Sequence, residues 1–193
     1  MGLWLFQECR RIWARGGTEL SYAEMTEMAE KAPPFGPLID VDDRAFLTPG
    51  DMPSAIQSFC ARTGQTVPED RGAILRCILE SLALKYRWAL DGLEEILGRR
   101  LHTIHIIGGG SRNHLLCQLT ADATQRPVIA GPAEATAIGN VLVQALALGH
   151  IASLEEGREV VRQSFEVTTY EPGDSVGWDE AYERLLVILG ESA

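Results

Sequence analysis

The sequence predicts an α/β fold with parallel strands, in a sheet too narrow to stand alone. Residues 103–107 form a β-branched run that ends in Gly108, Gly109 and Gly110, and a helical stretch follows at 113–124. A second short strand at 127–130 leads into a second helix at 133–148. Strand, helix, strand, helix is the signature of parallel α/β structure. Parallel sheets are normally covered on both faces and wider than two strands, yet the predicted helices outnumber the surface they would cover. The pattern is that of a piece of a larger α/β domain whose other strands lie elsewhere.

From the amino end, residues 3–15 read as a helix with Leu3, Phe6, Cys9 and Trp13 on one face. Ser21 with Glu24 three residues later is a capping box, and it opens a helix that ends before Pro33 and Pro34. Residues 35–52 form a turn-rich loop holding Asp40, Asp42, Asp43 and the Pro49-Gly50 turn. A short helix is expected at 53–63 and a long one at 68–97, where Ile74, Ile78, Leu82, Trp88 and Leu93 recur near helical spacing. Pro68 is placed in the first turn of the long helix, Glu69 and Asp70 at the positive end of its dipole, and Gly98 at its stop. A helix at 154–163, an extended piece at 167–170 and a final helix at 178–189 complete the chain. The reading is one partial domain, with a helical part over about 1–98 and a strand–helix part over about 99–193.

Bulk composition narrows the classes. The formal net charge of −10 argues against nonspecific binding to nucleic acid or an anionic membrane. Cys9, Cys60, Cys77 and Cys117 form no CxxC and no zinc spacing, so they are read as reduced, mostly buried thiols. Cys60 and Cys77 fall on consecutive predicted helices, which leaves a disulfide between them open. The apolar start is interrupted by Glu8, Arg10 and Arg11, too soon for a signal peptide. Residues 135–154 lack formal charge, but Asn140, Gln144 and two glycines predict a buried helix rather than a membrane span. A cytoplasmic protein is expected.

The candidate chemistry centres on Gly108-Gly109-Gly110-Ser111-Arg112-Asn113, between a strand and a helix. Glycines there let backbone amides approach a nucleotide, and a helix N-terminus favours phosphate; a tight turn without ligand is the alternative. A dinucleotide fingerprint fails, because Asn113 replaces the third glycine and the strand ending at Ala130-Gly131 lacks the acidic residue that would hold a ribose. No P-loop is present. Asp40, Asp42 and Asp43 read as a solvated acidic loop rather than a metal cage. His102, His105, His114 and His150 show no ligand spacing, and His105 is expected to be packed or capped within its strand.

The run from Ile106 to Leu116 resembles the adenosine motif of the FGGY carbohydrate kinases, whose fold is the ribonuclease H-like fold of actin and hexokinase-type ATPases. Glu134-Ala135-Thr136-Ala137-Ile138-Gly139-Asn140 looks like the second connecting helix of that fold, at the hinge between its two domains. Within the group the likeness is greatest to rhamnulokinases. It is carried by Gly2-Leu3-Trp4-Leu5-Phe6-Gln7-Glu8-Cys9-Arg10, Pro49-Gly50-Asp51-Met52-Pro53, Val128-Ile129-Ala130-Gly131-Pro132, Gly149-His150-Ile151 and residues 162–170. The resemblance implies a partial C-terminal domain of that fold, carrying a helical insertion. It implies that Gln7 contacts ATP and that Gly109 lies against the nucleotide, with Gly108 and Gly110 shaping the turn. Asn113 is read as a helix cap, and Cys117 departs from the Asn that relatives often carry.

The resemblance further implies phosphorylation of L-rhamnulose by ATP with Mg²⁺, the metal being held mainly by residues outside this chain. The catalytic aspartate, the sugar contacts and a phosphate-binding hairpin belong to the preceding half in that family, and no residue of this chain is assigned a catalytic role. A truncated product, a separately made segment or a misplaced start is therefore expected, with an exposed apolar seam prone to dimerise or aggregate. A fuculokinase or xylulokinase type of FGGY kinase and a non-catalytic nucleotide-binding module remain the alternatives.

Overall fold

The computed structural model describes residues 2–191. Side-chain caps open the helices that follow Ser21, Asp51, Asp70, Asn113 and Ser153, whereas those at Trp4–Arg15, Ala135–Ala147 and Trp178–Leu189 begin without one. α1 (Trp4–Arg15) buries Leu5, Phe6, Cys9 and Trp13. α2 (Tyr22–Lys31) starts with the expected capping box, in which the Glu24 amide donates to Ser21 Oγ at 3.2 Å and the Ser21 amide donates to Glu24 Oε2 at 2.7 Å. α3 (Met52–Arg62) is capped by Asp51. α4 (Arg71–Leu97) is capped by Asp70, whose Oδ1 accepts from the Ala73 amide at 2.8 Å, and it stops at left-handed Gly98. Pro68 and Glu69 therefore precede α4 instead of forming its first turn. The Asp70 cap decides the start.

Ile74, Ile78 and Leu82 are buried, as their spacing predicts, but Leu93 is half exposed because the last turns of α4 run beyond the core. The segment before α3 is also not a solvated loop. It holds a short 3-10 helix, Arg44–Phe46, and buries Leu38, Ile39, Val41 and Phe46. Polar side chains replace the ladder this extended backbone lacks. Gln65 brackets Leu38, accepting from its amide at 2.8 Å and donating to its carbonyl at 2.7 Å, and Ser81 Oγ accepts from the Ile39 amide at 2.9 Å.

Glu80 anchors the start of that segment. Its carboxylate is fully buried, accepts from the Phe35 amide at 3.0 Å and takes Arg76 Nε at 2.6 Å. Phe35 adopts φ +57°, its carbonyl accepts from Arg184 at 3.0 Å, and its ring meets Trp178 edge-on at 5.2 Å. These contacts fasten α8 (Trp178–Leu189) to α4 through one turn of chain.

β1 (Ile104–Ile106) pairs in parallel with β2 (Val128–Ala130), Ile104 opposite Val128, as expected. The extended piece becomes a third strand, β3 (Thr168–Tyr170), antiparallel to β2, so the sheet is mixed in the order β1-β2-β3. α5 (His114–Thr124) lies between two cores. Leu115, Leu116, Leu119 and Ala123 join the main core made with α1–α4 and α8, while Cys117 and Ala121 pack on Val128 and Ala130 of β2. His105 points to the other face and is exposed, not packed as expected, because strand side chains alternate and Ile104 and Ile106 take the α5 side.

α6 (Ala135–Ala147) and α7 (Leu154–Ser164) form a hairpin in which Gly157 comes close to Leu142 and Ile151. The expectation of a buried helix at 133–148 does not hold. No residue of α6 is buried, and Val141 and Val143 are each 65% exposed. Among the described residues no helix is long and apolar enough to cross a membrane. All four cysteines are buried free thiols. Cys60 and Cys77 meet as hydrogen-bonded thiols rather than a disulfide; the bond holds Cys60 below its ordinary value and, with burial, raises Cys77.

Glu80→Ala should lower stability by about 3 kcal/mol, since it strands a largely buried guanidinium and a backbone amide. Lys31→Ala breaks only an exposed pair with Glu27 and should cost under ~1 kcal/mol. Urea unfolding of the two variants checks the contrast.

Candidate functional site

The three glycines leave β1 in a 3-10 helix, Gly108–Arg112, and each has a different physical task. Gly108 sits at φ +72°, a conformation that disfavours any Cβ. A Cβ at Gly110 would rest 3.4 Å from Ile106 Cγ2, so this glycine packs the turn against its own strand. Gly109 would meet nothing within 4 Å. Its bareness serves no contact among the described residues and leaves open space beside the turn.

Asn113 closes the turn and caps α5, accepting from the Leu116 amide at 2.9 Å, which is the role the sequence assigned it. Its amide nitrogen reaches Thr26 Oγ1 on α2 at 3.4 Å. His114 Nε2 lies 2.9 Å from Glu30, also on α2. Beneath the turn, Cys117 Sγ faces the Gly110 carbonyl at 3.8 Å, and burial pushes its thiol up to about 11. It is a packing residue.

Together these elements enclose a cleft of about 670 Å³. Leu3, Trp4, Phe6 and Gln7 supply the α1 wall. Tyr22, Ala23, Thr26, Glu27 and Glu30 supply the α2 wall. Gly109, Gly110, Arg112, Asn113 and His114 close the third side. The structure thus brings Gln7, Gly109 and Gly110 into one cleft although about a hundred residues separate them. Gly108 does not line it; it bends the chain behind. Gln7 is exposed in the first turns of α1, an end with neither a side-chain cap nor an acidic residue in its first turn. A helix end of that kind attracts anions.

The loop aspartates lie elsewhere and have local partners. Asp43 accepts from the Ala45 amide at 2.8 Å and pairs with Arg62 at 2.6 Å, while Asp40 and Asp42 stand 3.6 and 3.7 Å from Lys85. Among the described residues no group of three His, Cys, Asp or Glu is arranged to hold a metal ion. A second hollow of about 670 Å³ lies between the ends of α4 and α8, lined by Trp88, Ile96 and Tyr182 among others, away from the glycine turn.

The model of the C-terminal domain of the FGGY family of carbohydrate kinases matches residues 1–148. The chain belongs to this family. The matched span includes the α1 wall, the glycine turn and α6. The chain is 48% identical over 181 residues to a rhamnulokinase of Bacteroides thetaiotaomicron, covering 94% of this chain and 36% of that protein. It is 39% identical to a rhamnulokinase of Bacillus subtilis, covering 90% of this chain and 35% of the relative. It therefore spans little more than a third of the length of these curated relatives. Among solved structures, xylulose kinase from Rhodospirillum rubrum superposes with a TM-score of 0.62 at 21% identity, over 97% of this chain and 38% of that one. Plasmodium falciparum glycerol kinase with ADP superposes with a TM-score of 0.58 at 20% identity, over 89% and 33%. The fold is the ribonuclease H-like fold of these sugar kinases, seen here in its C-terminal, helix-rich part.

Sequence reasoning missed Tyr22, Glu27 and Glu30 as cleft residues, and gave Arg112 and His114 no role of their own although both lie within the quoted motif. The signal was present on α2, where Tyr22, Thr26 and Glu30 recur at helical spacing. Nothing in that stripe said which neighbour it would face.

Gly109→Val should leave the melting transition of the chain within ~0.5 kcal/mol of wild type, because the added atoms enter open space. Gly108→Val should destabilise it by about 2 kcal/mol, since a β-branched residue at positive φ is strained. Thermal denaturation of both variants checks the division of labour.

Proposed function

We propose that this chain is the nucleotide-side portion of an ATP-dependent sugar kinase of the rhamnulokinase type, which converts L-rhamnulose and ATP to L-rhamnulose 1-phosphate and ADP. The observation that carries the reading is one cleft uniting Gln7 with Gly109 and Gly110, in a chain 48% identical to a rhamnulokinase over most of its length. Gln7 and Gly109 contact ATP, and Gly108 and Gly110 set the turn between them. The bare Gly109 fits this role, because a Cβ there would project into otherwise empty space.

Phosphoryl transfer rests on positioning the nucleotide and on a carboxylate base that takes the proton of the sugar hydroxyl. Asp40, Asp42 and Asp43 are engaged away from the cleft, and Asp122 accepts from the Gly173 amide at 2.8 Å. The base, the sugar contacts and the groups that hold Mg²⁺ come from sequence beyond these residues. The exposed apolar face of α6 supports self-association or docking of that remaining part, in a cytoplasmic enzyme.

The isolated chain should show no sugar-dependent ADP release with saturating L-rhamnulose and Mg-ATP, as loss of a general base alone costs about 10² to 10⁴-fold. Mixing with a separately expressed N-terminal half of the Bacteroides thetaiotaomicron relative should restore turnover. In that pair Gly109→Val should raise the KM for ATP far more than that for the sugar. Turnover by the chain alone would show the catalytic base to lie within it. ATP binding without turnover in any mixture would favour a non-catalytic nucleotide-binding module.

A further inference from the structure

Of the aromatic side chains that line the cleft, Phe6 is in the core and Trp4 packs against it and donates to the Phe46 carbonyl at 3.3 Å, which leaves Tyr22 without a task. Tyr22 is the first residue of α2, is half exposed, and borders the cleft together with Gln7 and Gly109. An exposed ring at that place is not needed for the core. It is nevertheless held firmly. The Arg10 guanidinium lies over the ring, 4.9 Å from its centre, and Arg10 Nε is itself fixed by the Leu20 carbonyl at 2.6 Å. A cation backing one side of an aromatic ring restrains it and leaves the other side for a second flat partner.

The charges of the cleft orient such a partner. Glu27 and Glu30 stand farther along α2, bonded to Lys31 and His114, and their carboxylates repel phosphate groups. The uncapped N-terminus of α1, beside Gln7, attracts them. Phosphates therefore lie toward α1 and the base toward the α2 wall, where Tyr22 offers the aromatic surface. From Tyr22 to Glu30 the wall is eight residues long, on the order of 12 Å by helical rise, enough for a purine with its ribose.

We propose that Tyr22 is a positioning residue for the nucleobase, with the purine ring stacked on its open face and the glycine turn at Gly109 closing the other side. This rests on the nucleotide reading of the cleft. It adds a contact to the adenine ring that neither Gln7 nor the glycines supply, and it assigns the Arg10–Tyr22 pair a purpose beyond local packing. The hydroxyl of Tyr22 takes no part, so an aromatic ring is the only requirement at this position.

The test uses the purified chain, titrated with ATP by saturation-transfer NMR on the adenine H2 and H8 signals. Inorganic tripolyphosphate, which has no base, is titrated separately. Tyr22→Phe should bind ATP within about 2-fold of wild type, whereas Tyr22→Ala and Tyr22→Leu should weaken it about 10-fold, the size expected for one base stacked on one ring. Tripolyphosphate should bind all four proteins alike. Circular dichroism reports folding, and the Phe and Leu variants, which both keep apolar bulk, decide the matter if the Ala variant unfolds. Equal ATP affinity in the Phe and Leu variants would overturn the stacking role while leaving the nucleotide site standing. A parallel loss of tripolyphosphate binding would overturn it too, by showing a general collapse of the cleft. Failure of wild type to bind ATP at any concentration tested would overturn both readings.

Discussion

α2 crosses α4 so closely that a Cβ on Gly72 would stand 2.7 Å from the Met28 carbonyl oxygen. Backbone cannot yield as a flexible side chain can, so only glycine permits this crossing. The candidate site depends on it. α5 packs along the same face of the molecule against α4, and the glycine turn opens at the start of α5. With both helices seated on one long helix, α2 and the turn face each other across the cleft. The His114–Glu30 and Asn113–Thr26 contacts then tie the two walls at 2.9 and 3.4 Å. Walls built on helices hold their geometry better than walls built on loops.

The same helix organises the opposite side through a charge. Glu80 is buried, and burying a carboxylate is costly unless hydrogen bonds satisfy it. Arg76 and the Phe35 amide do so, which forces the chain at Phe35 into a left-handed turn. That turn presents its carbonyl to Arg184 and its ring to Trp178, and Gly177 is bare where a Cβ would strike the Phe35 ring at 2.6 Å. The final helix is thus fixed by a polar network as much as by apolar packing. Neither the first nor the last helix is peripheral: α1 lines the cleft and α8 completes the core.

Much of this was legible because it is local. Capping residues marked the helix starts at Ser21 and Asn113, and β-branched runs marked the strands. The glycine turn stood out as a candidate for the same reason, since three glycines between strand and helix have few other uses. What the sequence hid was pairing at a distance. Residues 167–170 read as extended, but nothing local revealed their antiparallel register with β2. The polar side chains of Gln65 and Ser81 gave no sign that they would bury the chain at Leu38 and Ile39. The α6 stretch was misjudged for a related reason. Its hydrophobicity predicts that some surface wants covering, and it says nothing about whether the cover belongs to the same 193 residues.

That last point bears on what the cleft can do alone. Its charged groups are spoken for: Glu30 by His114, Glu27 by Lys31 and Arg112 by Glu134 at 2.9 Å. The remaining surface is aromatic, apolar or bare backbone apart from the uncharged polar side chains of Gln7, Thr26 and Asn113, chemistry suited to holding a flat base and to admitting phosphates beside a helix end. A general base needs a carboxylate aimed at a reacting proton, and a metal clamp needs several oxygen ligands converging on one point. Neither arrangement occurs among the described residues of the cleft. Under the proposed function, recognition of the nucleotide and the bond-making step are therefore separable in physical terms. In the proposed kinase, these helices position the base and ribose, and the reacting phosphate extends past α1 toward groups contributed by the rest of the enzyme. The broad apolar faces of α6 and the solvent-facing side of β1 are surfaces against which such a partner would pack. If positioning comes from one body and chemistry from another, as the proposal has it, the rate depends on how the two come together, because closing an active site excludes water from the reacting phosphate.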